Sequence, residues 1–127
     1  MPSNTRTVLI VDDSATMRKM VAATLRPIKN VQPIEAANGL EAIERLALMK
    51  VDLLVLDLNM PEMHGLEVVA FVRQHQAFRE IPIIVLTTRS DEASTQAVLA
   101  AGASVYLNKP FDPATLAQHA RRLLNVP

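Results

Sequence analysis

Residues 8–13 read Val8-Leu9-Ile10-Val11-Asp12-Asp13, four apolar residues that run straight into two carboxylates. Three later stretches repeat the plan. Leu53-Leu54-Val55-Leu56 leads to Asp57, Ile83-Ile84-Val85-Leu86 leads to Thr87, and Val105-Tyr106-Leu107-Asn108 leads to Lys109. Short, mostly apolar runs of this kind are expected of parallel strands buried on both faces. In an open parallel α/β sheet, ligands bind in the crevice outside the carboxyl ends of the strands. The sequence therefore predicts that Asp12, Asp13, Asp57, Thr87 and Lys109 converge on one edge of one sheet.

Working outward from these runs gives five strand–helix units. Strands are predicted at about 7–11, 32–36, 52–57, 82–87 and 104–108, and helices at about 14–27, 39–49, 65–76, 91–101 and 113–125. Met17, Met20, Val21 and Leu25 recur at helical spacing in the first helix, and Leu40, Ile43, Leu46 and Ala47 in the second. Leu116, Ala120, Leu123 and Leu124 do so in the fifth, so each helix offers one apolar face. Ser14, Asn38 and Asp112 suit N-cap positions, Pro113 suits a first helical turn, and Gly102 suits a helix stop. Repeated βα units imply helices on both faces of the sheet. The fold class expected is α/β, a flavodoxin-like (βα)5 doubly wound parallel sheet of strand order 2-1-3-4-5.

At 127 residues the chain is expected to be one domain spanning 1–127. Half of its residues are apolar, which excludes a disordered chain. The 13 basic residues balance the 13 acidic ones, which argues against a broad basic face for nucleic acid or acidic lipid. Cysteine is absent, which removes disulfides, thiolate metal sites and thiol catalysis. The apolar run near the N-terminus is too short for a signal peptide or membrane span, so a soluble cytoplasmic protein without membrane insertion is expected.

Three carboxylates at one edge are poor structure on their own. Like charges about 4 Å apart repel by roughly 4 kcal/mol at an effective dielectric near 20. A cation offsets this, and hard oxygen ligands suit Mg²⁺ or Mn²⁺, with Mg²⁺ sharing phosphate oxygens readily. Lys109 precedes Pro110, which holds it extended and makes the bond a candidate cis peptide. A backbone carbonyl near Asn59 would add a metal ligand. His64, His75 and His119 lack metal-ligand spacing and are expected at the surface.

With these motifs in place, the sequence resembles the receiver domain of two-component response regulators. The resemblance covers essentially the whole chain and rests on VDDSATMRKM around Asp12-Asp13, LDLNMPEMHG around Asp57, LTT around Thr87 and YLNKPF around Lys109. Within the family the chain is most similar to the single-domain chemotaxis regulators of the CheY type, so no output domain is expected. The resemblance implies that Asp57 is the phosphoacceptor and that Asp13, Asp57 and the Asn59 carbonyl bind Mg²⁺ directly. Asp12 would act mainly through a metal-bound water. Lys109 would pair with Asp57 and then with phosphoryl oxygens, and Thr87 would meet a phosphoryl oxygen. Tyr106 would change rotamer with Thr87 and switch a docking face made by the fourth helix, fifth strand and fifth helix. Asn59 and Arg89 would influence the phosphoryl lifetime. His64 and Leu58 depart from residues common in relatives.

The partners implied are a sensor histidine kinase, an effector such as a flagellar motor switch or a pilus motility protein, and a phosphatase if one exists; a monomer is expected. A phosphorelay shuttle or a phosphate sink is the alternative output. An aspartate-nucleophile phosphohydrolase would also use Asp57, but such enzymes commonly carry a second acid two residues later, where Asn59 stands. A nucleotide binder of flavodoxin type would need a phosphate-cradling loop after the first strand, where DDSAT instead presents acids. The expectation is therefore a phosphoaccepting switch and not an enzyme.

Overall fold

The computed structural model of the chain describes residues 4–58, 65–88 and 92–126. Strands and helices alternate as β1 (Arg6–Val11), α1 (Ala15–Leu25), β2 (Val31–Ala36), α2 (Gly39–Leu48) and β3 (Leu53–Asp57). They continue as α3 (Gly65–Gln74), β4 (Ile83–Thr87), α4 (Glu92–Ala101), β5 (Val105–Asn108) and α5 (Pro113–Leu124). All neighbouring strands are parallel, in the order β2-β1-β3-β4-β5. Pro33 lies within β2, and β2 is an edge strand, where a residue without an N–H is tolerated.

Alternation along the strands sorts the core into two layers. Leu9, Val11, Leu54, Leu56, Ile83 and Val85 face α2, α3 and α4, where Ala42, Leu46, Val68, Val69, Val72 and Val98 meet them. Val8, Ile10, Leu53, Val55, Ile84 and Leu86 face α1 and α5, where Val21, Ala22, Leu25, Leu116, Ala120 and Leu124 meet them. The central strands β3 and β4 are buried at every position, which is why they read as unbroken apolar runs.

Two helices bury only part of the faces predicted for them. In α1 Val21 and Leu25 are buried and Met17 packs on the core as predicted, but Ala22 joins them and Met20 is exposed. In α2 Leu46 is buried as predicted, together with Gly39 and Ala42, whereas Leu40 and Ala47 are exposed. Both helices carry apolar residues in two phases, and the sheet takes the phase with the smaller alanines. Asp52, predicted in the third strand, stands just before β3. There its Oδ2 accepts the Thr7 N–H at 2.8 Å and its own N–H donates to the Thr7 carbonyl.

Helix ends follow local chemistry. The side chain of Ser14 accepts the Met17 N–H and that of Asn38 accepts the Glu41 N–H, as N-caps do. Asp112 occupies the cap position of α5 without capping the backbone; its Oδ2 takes the Thr115 hydroxyl at 2.8 Å instead. Gly102 ends α4 at φ +118°, a conformation that favours glycine, and a Cβ there would come within 2.6 Å of Arg73 Cγ. From α3, the Arg73 guanidinium reaches the carbonyls of Gly102 at 2.9 Å and Ile81 at 2.6 Å, tying the end of α4 to the approach to β4. His75 is exposed and stacks on Phe78, whereas His119 is half-buried beside Arg122. His64 lies outside the described residues. Among the described residues, no helix is long and apolar enough to cross a membrane.

Candidate functional site

Each strand end delivers one part of the site. At the end of β1, the Asp12 N–H still donates to the Ala36 carbonyl at 3.2 Å, so Asp12 continues the ladder and is buried. One of its carboxylate oxygens accepts the Ser14 N–H at 2.9 Å and the other accepts the Lys109 ammonium at 2.8 Å. Asp13, one residue on, is exposed. Asp57 is the last residue of β3, pairs with Leu86 of β4 and is also buried. One oxygen of each of Asp12, Asp13 and Asp57 lies within 4.8 Å of the others.

Backbone geometry behind Asp57 is tight. The Leu58 N–H donates to the Leu86 carbonyl and the Gly65 N–H donates to the Leu58 carbonyl, each at 3.0 Å. A Cβ at Gly65 would collide with the Asp57 carbonyl oxygen and come within 2.7 Å of Leu58 Cα. Gly65 thus lets α3 start directly against the strand end that carries Asp57.

Thr87 ends β4, fully buried, opposite Asn108 of β5. Its carbonyl accepts the Lys109 N–H at 2.8 Å, which fixes Lys109 one residue beyond β5. The Lys109-Pro110 bond is cis. From there the Lys109 ammonium sits 2.8 Å from Asp12 Oδ2 and 3.1 Å from Asp57 Oδ1. Burial alone would push this ammonium below the ordinary lysine value, but Asp12 and then Asp57 more than offset it and raise it. Lys109 is therefore firmly charged. Tyr106 is half-buried on β5 opposite Val85 and packs on the core layer shared with α4. By strand alternation Thr87 lies on the same face as Val85, so Thr87 and Tyr106 share one side of the sheet.

Five of the sequence-predicted residues thus meet at one edge, Asp12, Asp13, Asp57, Thr87 and Lys109, with Tyr106 flanking them on β5. Asn59 and Arg89 lie outside the described residues. The donor set is all oxygen and carries three negative charges against one ammonium, which suits a hard divalent cation of the Mg²⁺ or Mn²⁺ class.

Sequence reasoning missed the layer behind this edge. Arg18 Nη1 donates to the Asp12 carbonyl at 2.7 Å, and its Nε donates to Glu35 Oε1 at 2.9 Å. Lys19 holds the other Glu35 oxygen at 2.8 Å. The Lys19 hydrogen bond, then that of Arg18, holds the Glu35 carboxyl below its ordinary value against the upward pull of burial. The only sequence signal was an acid within the predicted second strand and a basic pair on the first helix.

Comparisons with known proteins point to one family. Residues 8–121 match the family model described as the response regulator receiver domain. The chain is 44% identical over 110 residues to chemotaxis protein CheY1 of Helicobacter pylori, covering 86% of this chain and 89% of that protein. Among solved structures, it is similar to chemotaxis protein CheY4 of Vibrio cholerae, with a TM-score of 0.86 and 37% identity over 94% of this chain and 98% of that one. The Mn²⁺-bound form of response regulator Rcp1 superposes with a TM-score of 0.85 at 25% identity, covering 96% of each chain.

Proposed function

The chain belongs to the response regulator receiver domain family, and on that premise we propose that Asp57 accepts a phosphoryl group from the phosphohistidine of a sensor histidine kinase. Its CheY relatives make it a chemotaxis-type response regulator, a signalling switch and not a classical enzyme. The observation that carries the acceptor assignment is the meeting of Asp57 with Lys109 at 3.1 Å inside a three-carboxylate cluster.

In the proposed step a carboxylate oxygen of Asp57 attacks phosphorus, the P–N bond to the imidazole breaks, and its electron pair returns to that nitrogen. The product is an aspartyl phosphate. Asp12, Asp13 and Asp57 would hold Mg²⁺ or Mn²⁺, Asp12 through water, with the Asn59 carbonyl as a further ligand. When bound, the ion neutralises carboxylate and phosphoryl charge in a reaction that depends mainly on positioning and electrostatics. Lys109 holds the Asp57 oxygen before transfer and takes a phosphoryl oxygen afterwards. Thr87 then offers its hydroxyl to another, and Tyr106 follows into the space on the shared face. Self-catalysed phosphorylation and loss of the group to water belong to the same reading.

The phosphoryl group shifts the α4–β5–α5 face between two arrangements by its differential stabilisation of them. That face would dock a motility effector, a flagellar motor switch or pilus protein, in the cytoplasm. The reading is tested by amide NMR with Mg²⁺ and beryllium fluoride, a mimic of the aspartyl phosphate. Shifts that begin at Asp57, Thr87 and Lys109 and extend through Tyr106 to α4 and α5 are expected in wild type and absent in Asp57→Asn. Shifts that stop at the strand ends would overturn the switch.

A further inference from the structure

Asp12 and Asp13 are joined by one planar peptide unit, and the oxygen of that unit is the Asp12 carbonyl. Whatever holds this oxygen sets the plane from which both carboxylate side chains depart. Arg18 holds it, with Nη1 at 2.7 Å, from a side chain only 16% exposed. The guanidinium is a rigid fork that stays charged, so its second donor decides where the first one points. That second donor, Nε, is bound to Glu35 Oε1 at 2.9 Å. Glu35 lies within β2 in register with Ile10 of β1, so the acceptor is itself mounted on the sheet. Lys19 occupies its other oxygen, leaving Glu35 little freedom to turn away. The chain of contacts runs from β2 through α1 to the peptide between Asp12 and Asp13.

We propose that Arg18, braced by Glu35, is a positioning residue for the acidic site, an inference that rests on the reading of Asp12, Asp13 and Asp57 as a cation site. Asp12 has two further restraints, the Ser14 N–H and Lys109, whereas Asp13 is exposed. The direction of Asp13 therefore depends most on the pinned peptide. Contacts outside the ligand shell that orient ligands are commonly worth 10–100-fold in metal affinity. A lysine at position 18 would keep the charge, but one ammonium cannot reproduce the fork that spans the Asp12 carbonyl and Glu35. A glutamine at position 35 would lose the charge but keep an oxygen for Arg18 Nε.

The test compares Arg18→Lys, Glu35→Ala and Glu35→Gln with wild type in the full chain. Mg²⁺ affinity is read by titration, and hydrogen exchange of the Ser14 amide, bound to Asp12 Oδ1, is read without metal. Arg18→Lys and Glu35→Ala should each weaken Mg²⁺ binding by about tenfold. Both should speed Ser14 exchange while the Val55 amide in β3 keeps its protection. Glu35→Gln should stay close to wild type in both readouts. Wild-type Mg²⁺ affinity and Ser14 protection in Glu35→Ala would overturn the inference, even where Arg18→Lys fails to fold. Glu35→Gln falling as far as Glu35→Ala would also overturn it, since charge alone would then account for the effect. Wild type that binds no Mg²⁺ would overturn the reading of the site, and the inference with it.

Discussion

Asp13→Asn offers the most informative perturbation, because it should stabilise the metal-free protein and destabilise the metal-loaded one. One carboxylate oxygen from each of Asp12, Asp13 and Asp57 lies within 4.8 Å of the others. Two unit charges at that spacing repel by about 3.5 kcal/mol at an effective dielectric of 20 and by about 0.9 kcal/mol in bulk water. Asp13 is exposed, so the lower figure is the better guide, and two neighbours, offset in part by the Lys109 ammonium between them, bring the relief to about 1 kcal/mol. Against this, Asp13 stands just ahead of the Ser14 cap of α1, where a negative charge is worth about 0.3–1 kcal/mol. The net expectation in EDTA is a gain of a few tenths of a kcal/mol, up to about 0.7. With Mg²⁺ at a hundred times its dissociation constant, wild type should gain about 2.7 kcal/mol. Each tenfold loss of affinity in the variant removes up to about 1.4 kcal/mol of that. With Asp13 as the proposed direct ligand, its loss should cost about a hundredfold, the upper end of what groups outside the ligand shell cost, so the order of stabilities inverts. Urea unfolding in EDTA and in Mg²⁺ measures both arms. A variant less stable than wild type in EDTA would show that the carboxylates do not repel one another there, and one equally stabilised by Mg²⁺ would show that Asp13 does not hold the ion.

Two further substitutions probe the frame. Gly65→Ala drives a Cβ into the backbone of Asp57 and Leu58 and should cost about 1–3 kcal/mol, read by urea unfolding; unchanged stability would contradict the close approach. Lys109 is held above its ordinary value of 10.5, so its contribution is whole below that pH and is lost as pH rises through the folded value. Metal-free wild type should therefore lose stability relative to Lys109→Gln above about pH 10.5, and parallel curves there would count against the buried ion pairs.

Much of the fold was legible because the central strands are buried on both faces and separated by helices with caps and stops. The convergence of Asp12, Asp57, Thr87 and Lys109 at one edge follows from that regularity, whereas the strand order came from analogy with flavodoxin-like sheets. Which apolar residues α1 and α2 leave exposed was not legible. Met20 and Leu40 are as apolar as the residues that replace them in the core, and only the sheet chooses between phases. Asp112 looked like a cap but binds Thr115, since an acid at that place has more than one local donor within reach. The contact of Arg18 with the Asp12 carbonyl was invisible because it depends on a backbone oxygen, which leaves no mark in the sequence. Glu35 left only the weak signal of an acid in a predicted strand, since its partner Arg18 lies in another element.

The central claim is that Asp57 becomes covalently phosphorylated, and the most direct measurement is mass spectrometry after incubation with acetyl phosphate and Mg²⁺. The acyl phosphate would be trapped by borohydride reduction before peptide mapping. One added phosphoryl group is expected, dependent on Mg²⁺, mapping to Asp57 and absent from Asp57→Asn. A phosphoryl group on any other residue, or full labelling of Asp57→Asn, would contradict it.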